Sequence, residues 1–478
     1  MKRQILQSVM VSAGTGLVLV ASGCTPAITP KVSKLELPSQ FAGSAGTEPV
    51  SIMKWREFFT DPHLRELIET ALGNNQELQI AIQEIEIAKN EVTARSGAYL
   101  PFLNLGTKAG LDKSGRYTRD GAVDRGLEIK PGKEFPDPLS DFGLGARASW
   151  EVDIWHRLRD AEKSAVNSFF ASTEGKQFLV TNIIGEIASS YYELLALDSQ
   201  LVLIGQNVEI QSKALNTVRA EKIGARVTEL AVQRFEAQLA KTKSLQFEIQ
   251  QKIVQAENKI HFLVGCFPKP IIRSADPLIA IQPPVISAAI PSQMVQQRPD
   301  IKEAEWRLKA ADLDVQVARA AFYPSLNLSG EIGLRAYDLG TVLQTPASLL
   351  YALTADVAGP LINRRAITAD YLNANAKQIS AVFSYERAVL NGFIEVSNQV
   401  AAITNTGQAF NLKSEQVRSL AGAVDVAGTL FLAARADYGE VLLTQREALE
   451  ARFELIETKL RQMQAVVGLY RSLGGGWA

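Results

Sequence analysis

Two segments of the chain that lie 223 positions apart share one pattern. Residues 75–105 read NQELQIAIQEIEIAKNEVTARSGAYLPFLNL, and residues 298–328 read RPDIKEAEWRLKAADLDVQVARAAFYPSLNL. Each segment runs through a charged, alanine-rich amphipathic helix into a proline and an alternating strand that reads Pro-x-Leu-Asn-Leu. A repeat of this length far exceeds the period of solenoid proteins. The sequence therefore predicts an internally duplicated chain whose two halves share one plan.

Each half is predicted to contain a β-hairpin, over residues 101–155 and, more weakly, over 324–361. The pattern is clearest from about Phe142 to Trp155, where apolar residues alternate with polar or small ones. Period-two alternation means that one face of the sheet is apolar. That face meets a core in a soluble protein and lipid in a membrane barrel, and the strands alone leave both alternatives open.

Each hairpin is followed by a very long helical stretch. No proline occurs between 157 and 222, and apolar residues recur there every seven positions from Ile187 to Leu215. A second seven-residue series runs from Val396 to Phe431. Heptads sustained over such lengths predict coiled-coil hairpins over 157–265 and 364–473, and one helix of about 65 residues would span roughly 100 Å.

The first residues are typical of a secretory signal. Lys2 and Arg3 precede a short uncharged segment, and Ala21-Ser22-Gly23-Cys24 resembles the lipobox at which a bacterial lipoprotein is cut. We expect lipidation at Cys24; an ordinary signal peptide with an incidental cysteine is the alternative. One acyl group alone binds membranes only marginally, so the anchor would supplement another attachment.

These patterns divide the chain into five parts. They are a signal peptide at 1–23, a lipidated extended N-terminal segment at 24–60, a first repeat at 61–266, a proline-rich linker at 267–291, and a second repeat at 292–478 with a helix at 299–322.

Composition argues against several functional classes. The 50 basic residues balance 51 acidic ones without a long basic run, so no nucleic-acid partner is expected. Three scattered histidines, two cysteines and the lack of a glycine-rich phosphate loop predict no enzyme, no metal site and no cofactor. No run of about 20 apolar residues is present to form a membrane-spanning helix.

Four strands per chain are too few to close a membrane barrel, since small barrels need about eight. Open strand edges in lipid would leave backbone groups unpaired at several kcal/mol each. Either the sheet is soluble and covered, or several chains share one barrel. The secretion signal and the rod-length helices favour the shared barrel.

The sequence resembles the TolC-like outer-membrane efflux proteins, in particular the lipidated NodT-type channels of tripartite RND efflux systems. The resemblance covers nearly the whole mature chain. It is carried by the segments at 61–64, 75–78, 150–157, 298–305 and 469–477, which include Trp-Glu-Val-Asp-Ile-Trp, Arg-Pro-Asp-Ile and Leu-Gly-Gly-Gly-Trp.

The resemblance implies an α+β homotrimer. Four strands from each chain would form a twelve-stranded outer-membrane β-barrel, continuous with an α-helical coiled-coil barrel on the same axis in the periplasm. The implied function is passive conduction of drugs, small molecules or metal ions to the cell exterior. The implied partners are outer-membrane lipid, a periplasmic adaptor (membrane fusion protein) and an inner-membrane pump of RND or ABC type.

The turns between paired helices would form the closed periplasmic end. The gate candidates are Arg435, Asp437, Tyr438 and Glu440. The adaptor-contact candidates are Gly224, Ala225, Arg226, Val227, Ala434 and Ala436. The chain departs from the family's usual acidic position after the second turn, where it has Leu443, so Glu440 is expected to substitute. The alternatives are that the charges are merely solvated and that the small residues serve only tight turns.

Two other functions remain open from the sequence. A channel for type I protein secretion would have the same architecture, although the lipobox and the Leu-Gly-Gly-Gly-Trp ending favour efflux. A structural coiled-coil envelope lipoprotein would explain the helices but not the duplicated hairpins.

Overall fold

The computed structural model describes residues 25–41, 53–284, 291–433 and 435–475. Cys24, the predicted signal peptide and Ala434 therefore lie outside the described residues. The helices are α1 (Trp55–Phe58), α2 (Pro62–Asn74), α3 (Gln76–Ala98), α4 (Arg119–Gly126), α5 (Arg157–Ile223), α6 (Glu229–Val264), α7 (Pro291–Gln297), α8 (Pro299–Ala320), α9 (Arg365–Leu432) and α10 (Tyr438–Ser472). The strands are β1 (Phe102–Asp112), β2 (Glu128–Lys130), β3 (Lys133–Glu134), β4 (Leu139–Val152), β5 (Ser325–Ala336) and β6 (Leu349–Ala358).

The structure adds elements that the sequence does not predict. The connection from β1 to β4 contains α4 and the short β2–β3 hairpin. The segment predicted as extended up to residue 60 contains the one-turn helix α1. A 3₁₀ turn at Leu278–Ala280 lies inside the predicted linker. Each addition is short and local, and none has enough periodic residues to stand out from a loop pattern.

The chain divides into two compact units. The first comprises residues up to 32, 87–169 and 307–382 and contains all six strands. The second comprises 33–86, 170–306 and 383–478 and contains most of both long helix pairs, including the turns that join them. Helices α5 and α9 are 67 and 68 residues long, and each runs from the first unit into the second.

The first unit contains a four-stranded antiparallel sheet in the order β1-β4-β5-β6. β4 pairs with β5, so the central contact joins strands from the two halves of the chain. β1 and β6 form the edges, and neither pairs with a second long strand within the described part of the chain.

One face of the sheet is apolar apart from Thr107 and Ser140. The strand register places the side chains of Leu105, Ala146, Ile332 and Tyr351 in one row across all four strands. Adjacent rows on this face contain leucine, valine, alanine, Phe142 and Trp150. The face is uncovered in the protomer, since Leu105 is 82% exposed and Leu353 is 87% exposed. A single chain therefore presents a large apolar surface.

The opposite face is polar. Asp141 accepts hydrogen bonds from Arg335 at 2.7 and 2.8 Å and pairs with Lys108 at 2.5 Å. Arg147 pairs with Glu331 at 3.1 Å, so two sets of charges bridge β4 and β5 on this face. The sheet is thus amphipathic across its whole width.

Two glycines lie directly opposite each other at the centre of the polar face. A Cβ atom on Gly145 would lie 2.9 Å from the Ile332 carbonyl oxygen, and one on Gly333 would lie 2.6 Å from the Leu144 carbonyl oxygen. No larger residue fits either position without moving the backbone. Paired glycines of this kind allow a sheet to bend towards the face on which neighbouring strands crowd together, which here is the polar face.

The second unit has a continuous apolar core built by the N-terminal helices α1 and α2 against α5, α6 and α10. The rings of Phe58 and Tyr470 stack with centroids 4.2 Å apart. The Tyr191 hydroxyl donates to the Asp61 carboxylate at 2.7 Å, and Asp61 also caps α2 through the backbone amides of His63 and Leu64. Burial raises the pKa of Tyr191 well above its ordinary value, so the hydroxyl keeps the proton that it donates.

A buried arginine at the start of α8 ties three helices together. Arg298 binds Asp300 through two hydrogen bonds at 2.7 and 3.0 Å and donates to the Ser472 carbonyl at 2.8 Å. It also pairs with Glu395 of α9 at 2.8 Å. Burial acts to lower the pKa of Arg298, but these acidic partners outweigh it and raise the pKa overall, so the side chain stays charged. One guanidinium thus connects α8 and α9 with the last turn of α10.

Replacing this arginine is expected to destabilise the second unit. In Arg298→Met, the Ser472 carbonyl and Asp300 would keep their burial and lose their donor, at a cost of about 3–5 kcal/mol in unfolding free energy. The measurement is denaturant unfolding followed by helical circular dichroism. The control is Arg461→Met, because that guanidinium is 62% exposed and lies 3.8 Å from Glu457. Equal midpoints for the two variants would contradict the role given to Arg298.

Candidate functional site

The two turns that join the long helices are the candidate functional site. The first turn, residues 224–228, links α5 to α6, and the second, residues 433–437, links α9 to α10. Both belong to the second unit. They contain most of the residues that the sequence predicts as gate and adaptor contacts, while Tyr438 and Glu440 lie in the first turn of α10. Ala434 is not among the described residues.

The first turn closes α5 through a left-handed residue. Ala225 has φ +60°, its amide donates to the Lys222 carbonyl at 2.9 Å, and the Arg226 amide donates to the Glu221 carbonyl at 3.0 Å. This pattern ends many helices, usually with glycine at the left-handed position. Alanine there costs about 1–2 kcal/mol, and both Gly224 and Ala225 are exposed.

Charges around the first turn are paired within their own helix hairpin. Arg226 lies 3.5 Å from Glu221, Lys222 contacts Glu229, and Arg219 of α5 lies 2.6 Å from Glu236 of α6. The sequence analysis did not identify these pairs. The signal for them is that opposite charges stand at similar distances on either side of the turn. Arg226 is therefore part of the first hairpin's own charge pairing.

The second turn leaves its charges unpaired. Asp437 has extended backbone at the start of α10, and its carboxylate makes no capping hydrogen bond, although the Asp437 carbonyl accepts from the Glu440 amide at 3.1 Å. The side chains of Arg435, Asp437 and Glu440 are exposed and form no ion pair within the described residues of the protomer. The second turn therefore presents unpaired charges, whereas the charges of the first turn are paired.

Tyr438 connects the two helix pairs. A buried apolar cluster at this end consists of Leu215, Val218, Ala231, Val232 and Phe235 from the first pair. Val227 packs against it from the first turn, while Phe431, Tyr438 and Leu442 pack against it from the second helix pair. The guanidinium of Arg234 lies 5.9 Å from the centre of the Tyr438 ring, within cation–π range. The sequence analysis did not predict a role for Arg234. It lies two positions after Val232, so the helical periodicity does not place it on the same face as that apolar residue.

The structure thus brings only part of the predicted set together. Val227 and Tyr438 share one cluster, whereas Arg226 stays with its own hairpin and Arg435 points to no acidic partner in the described chain. Ala436 is half-buried. Leu443 is partly exposed on α10, one position before Thr444.

No group of histidine, cysteine and carboxylate side chains among the described residues could hold a metal ion. Within the same residues, no helix combines the length and apolarity needed to cross a membrane.

The matches to known proteins cover nearly the whole chain. A family model described as outer membrane efflux protein matches residues 67–266 and 290–475. The pyoverdine export outer membrane protein OpmQ of Pseudomonas aeruginosa is 28% identical over 463 residues, covering 96% of this chain and 95% of that protein. The cation efflux system protein CusC of Escherichia coli K12 is 25% identical over 468 residues, covering 96% and 98%.

A solved structure shows the same fold. The open state of the Neisseria gonorrhoeae MtrE outer membrane channel aligns with a TM-score of 0.82 at 24% identity, covering 95% of this chain and 99% of that one. The family model spans well over half of the sequence, with both long helix pairs inside the matched segments. The chain therefore belongs to the outer membrane efflux protein family.

Proposed function

We propose that this outer-membrane efflux channel works as a homotrimer, in which three four-stranded sheets close one twelve-stranded barrel. The helix pairs of the three chains would enclose a periplasmic tunnel that receives substrate from an adaptor and an inner-membrane pump. The observation that carries the proposal is the amphipathic sheet with two open edges. The family and its relatives support the channel role directly.

The apolar face of the sheet fits contact with lipid. Its side chains are exposed or half-buried in the protomer, and no residue on that face from Leu103 to Val357 is charged. Water contact over such a surface would be unfavourable by about 25 cal/mol per Å². Lipid removes that cost without any covering element.

The edges supply the argument for more than one chain in the barrel. Among the residues that the structure describes, β1 and β6 each have one side without a strand partner, and unpaired amides in hydrocarbon cost several kcal/mol each. Pairing β6 of one chain with β1 of the next satisfies both edges and can repeat until the sheet closes. Three copies give twelve strands, which exceeds the roughly eight strands of the smallest membrane barrels.

The polar face would then line a water-filled lumen. It bears the paired charges at Asp141, Arg335, Arg147 and Glu331. The close approach at Gly145 and Gly333 supports bending towards this same face. The polarity of this face and the expected direction of bending therefore both favour the polar face as the inner one.

The second turn is the better candidate for a gate. Asp437 and Glu440 are exposed and unpaired within the described protomer, so a trimer would present six carboxylates, which can favour cations by their field. Tyr438 would hold this turn against the first helix pair through the apolar cluster. Opening would then require the contact at Tyr438 to loosen.

The first turn is the better candidate for adaptor contact. Gly224 and Ala225 are exposed and small, and the neighbouring charges are already paired, so a helical hairpin could approach closely. Val227 and Arg226 flank this surface, and Ala436 and Ala434 would extend it on the second turn.

The cargo would be small molecules or metal ions. The names of two relatives specify different cargoes, pyoverdine and cations, which supports selection by the pump.

Mass measurement tests both the trimer and the lipid anchor. The detergent-extracted protein is expected to have the native mass of three chains, each carrying added lipid mass on Cys24. Cys24→Ser should lose that lipid mass, whereas the control Cys266→Ser should keep it. A monomeric particle would contradict the trimer, and lipid retained in Cys24→Ser would contradict the anchor.

Single-channel recording tests the gate. Asp437→Asn and Glu440→Gln are each expected to reduce cation preference severalfold, because three negative charges leave the aperture at once. Glu450→Gln is the matched control, since this exposed α10 residue pairs with Arg446. If both gate variants keep wild-type conductance and selectivity, the assignment is wrong.

Site-specific crosslinking tests the adaptor surface. Ala225→Leu should weaken crosslinking to the adaptor at least tenfold, because a bulky side chain would obstruct the turn. Ala237→Leu, at an exposed position on α6, makes the same change away from the turn. Equal crosslinking in the two variants would remove the first turn from the interface.

A further inference from the structure

The two junctions that lead from the sheet into the long helices share one design. At the β4–α5 junction, exposed Ile154 and Trp155 precede His156, which has φ +59°. At the β6–α9 junction, exposed Leu361 and Ile362 precede Asn363, which has φ +57°. In each junction a pair of apolar side chains is thus presented just before a left-handed residue turns the chain into a helix.

Basic residues follow both apolar pairs. Arg159 lies in the first turn of α5, and Arg365 begins α9. Both are exposed, and neither forms an ion pair with another described residue. A cation in the first turn of a helix is disfavoured by the helix dipole, typically by 0.3–1 kcal/mol. These positions therefore favour an anion supplied from outside the chain.

The nearby acids do not provide that anion. Glu151 is occupied by Arg157 at 2.7 and 2.8 Å. Asp153 accepts from the backbone amides of Leu158 and Arg159, at 3.0 Å each. Glu151 and Asp153 thus have other donors, and neither forms an ion pair with the Arg159 guanidinium.

The apolar members are held in place and continue the lipid-facing surface. The Trp155 indole donates to the Pro324 carbonyl at 2.8 Å and stacks on Tyr323 with centroids 4.7 Å apart, yet it remains 41% exposed. Trp150, on the apolar face, donates to the Tyr99 carbonyl at 2.8 Å, and the Arg159 guanidinium lies 5.8 Å from the centre of the Tyr99 ring. Arg159 therefore lies beside the boundary of the apolar face.

We infer that Ile154, Trp155, Leu361, Ile362, Arg159 and Arg365 form a collar that binds the phospholipids of the periplasmic leaflet, with preference for anionic headgroups. The inference depends on the proposed membrane insertion of the sheet. The aliphatic side chains and the indole would lie at the boundary between hydrocarbon and headgroups, where tryptophan is favoured. The two arginines would reach the phosphates, and a basic side chain near an anionic leaflet contributes about 1 kcal/mol. The collar thus sets how deeply the sheet is inserted.

Quenching of tryptophan fluorescence by brominated lipids tests the depth. In phosphatidylethanolamine bilayers, bromine near the headgroup end of the acyl chain should quench the wild type more than bromine at the chain end. This shallow quenching should fall in Trp155→Phe and persist in Trp306→Phe, because Trp306 belongs to the second unit and its ring lies 4.9 Å from that of Phe170. Shallow quenching that is unchanged in Trp155→Phe would overturn the inference, since Trp155 would then be covered by protein or water.

The headgroup preference is tested in the same bilayers with brominated phosphatidylglycerol as a minor component. The wild type should enrich it beside the protein about fivefold over phosphatidylethanolamine, and Arg159→Gln/Arg365→Gln should reduce the enrichment to about one. Arg446→Gln/Arg461→Gln removes two charges from α10, which forms no part of the sheet or its junctions, and should leave the enrichment intact. Equal enrichment in both double variants would overturn the preference.

Two further readouts separate the possible failures. Displacement of brominated phosphatidylglycerol by added lipid A would place the collar in the outer leaflet and overturn the assignment to the periplasmic one. Channel conductance is recorded from the same preparations. Absence of conductance in the wild type would contradict the proposed function, whereas normal conductance with an unquenched Trp155 would overturn the collar alone.

Discussion

Backbone hydrogen bonding at the two edges of the sheet is the constraint on which the rest of the structure depends. A four-stranded sheet with an apolar face can enter lipid only if β1 and β6 both find partners. No element of the described chain supplies them, and a second copy of the same sheet does. That requirement calls for more than one chain, and the proposed trimer, with its polar lumen and threefold repetition of Asp437 and Glu440, is one way to meet it.

The second unit meets a different requirement, because long helices gain little from propensity and need packing to stay in register. Trp55, Phe58 and Phe59 fill the core between α5, α6 and α10, and Arg298 joins the start of α8 to the end of α10. These contacts lie in the same compact unit as the two turns that join the helix pairs. Because the apolar cluster around Tyr438 contains residues of both helix pairs, the position of the second turn depends on the first pair.

The sequence allowed the elements to be predicted better than their contacts. Heptads without proline predicted α5 and α9, and period-two alternation predicted the four long strands, because both signals repeat over many residues. The β4–β5 pairing could not be predicted, since alternation specifies a face and not a neighbour. At the turns, the sequence indicated small and charged residues as candidate contacts, and these stay predictions. It could not separate Arg226, which pairs with Glu221 at the end of α5, from Arg435, which has no acidic partner in the described protomer, because that difference depends on side-chain geometry.

The pairing of β4 with β5 also determines when the sheet can form. Asp141 and Arg335, which bridge these strands, are 194 positions apart in the chain. Contacts between residues so distant form late, because the intervening chain must be present and ordered first. An incomplete chain could form the β1–β4 hairpin but would leave β4 without its central partner, with an apolar face and too few strands for lipid. A chain that ends before β5 and β6 therefore cannot complete the four-stranded sheet, whatever the state of its first half.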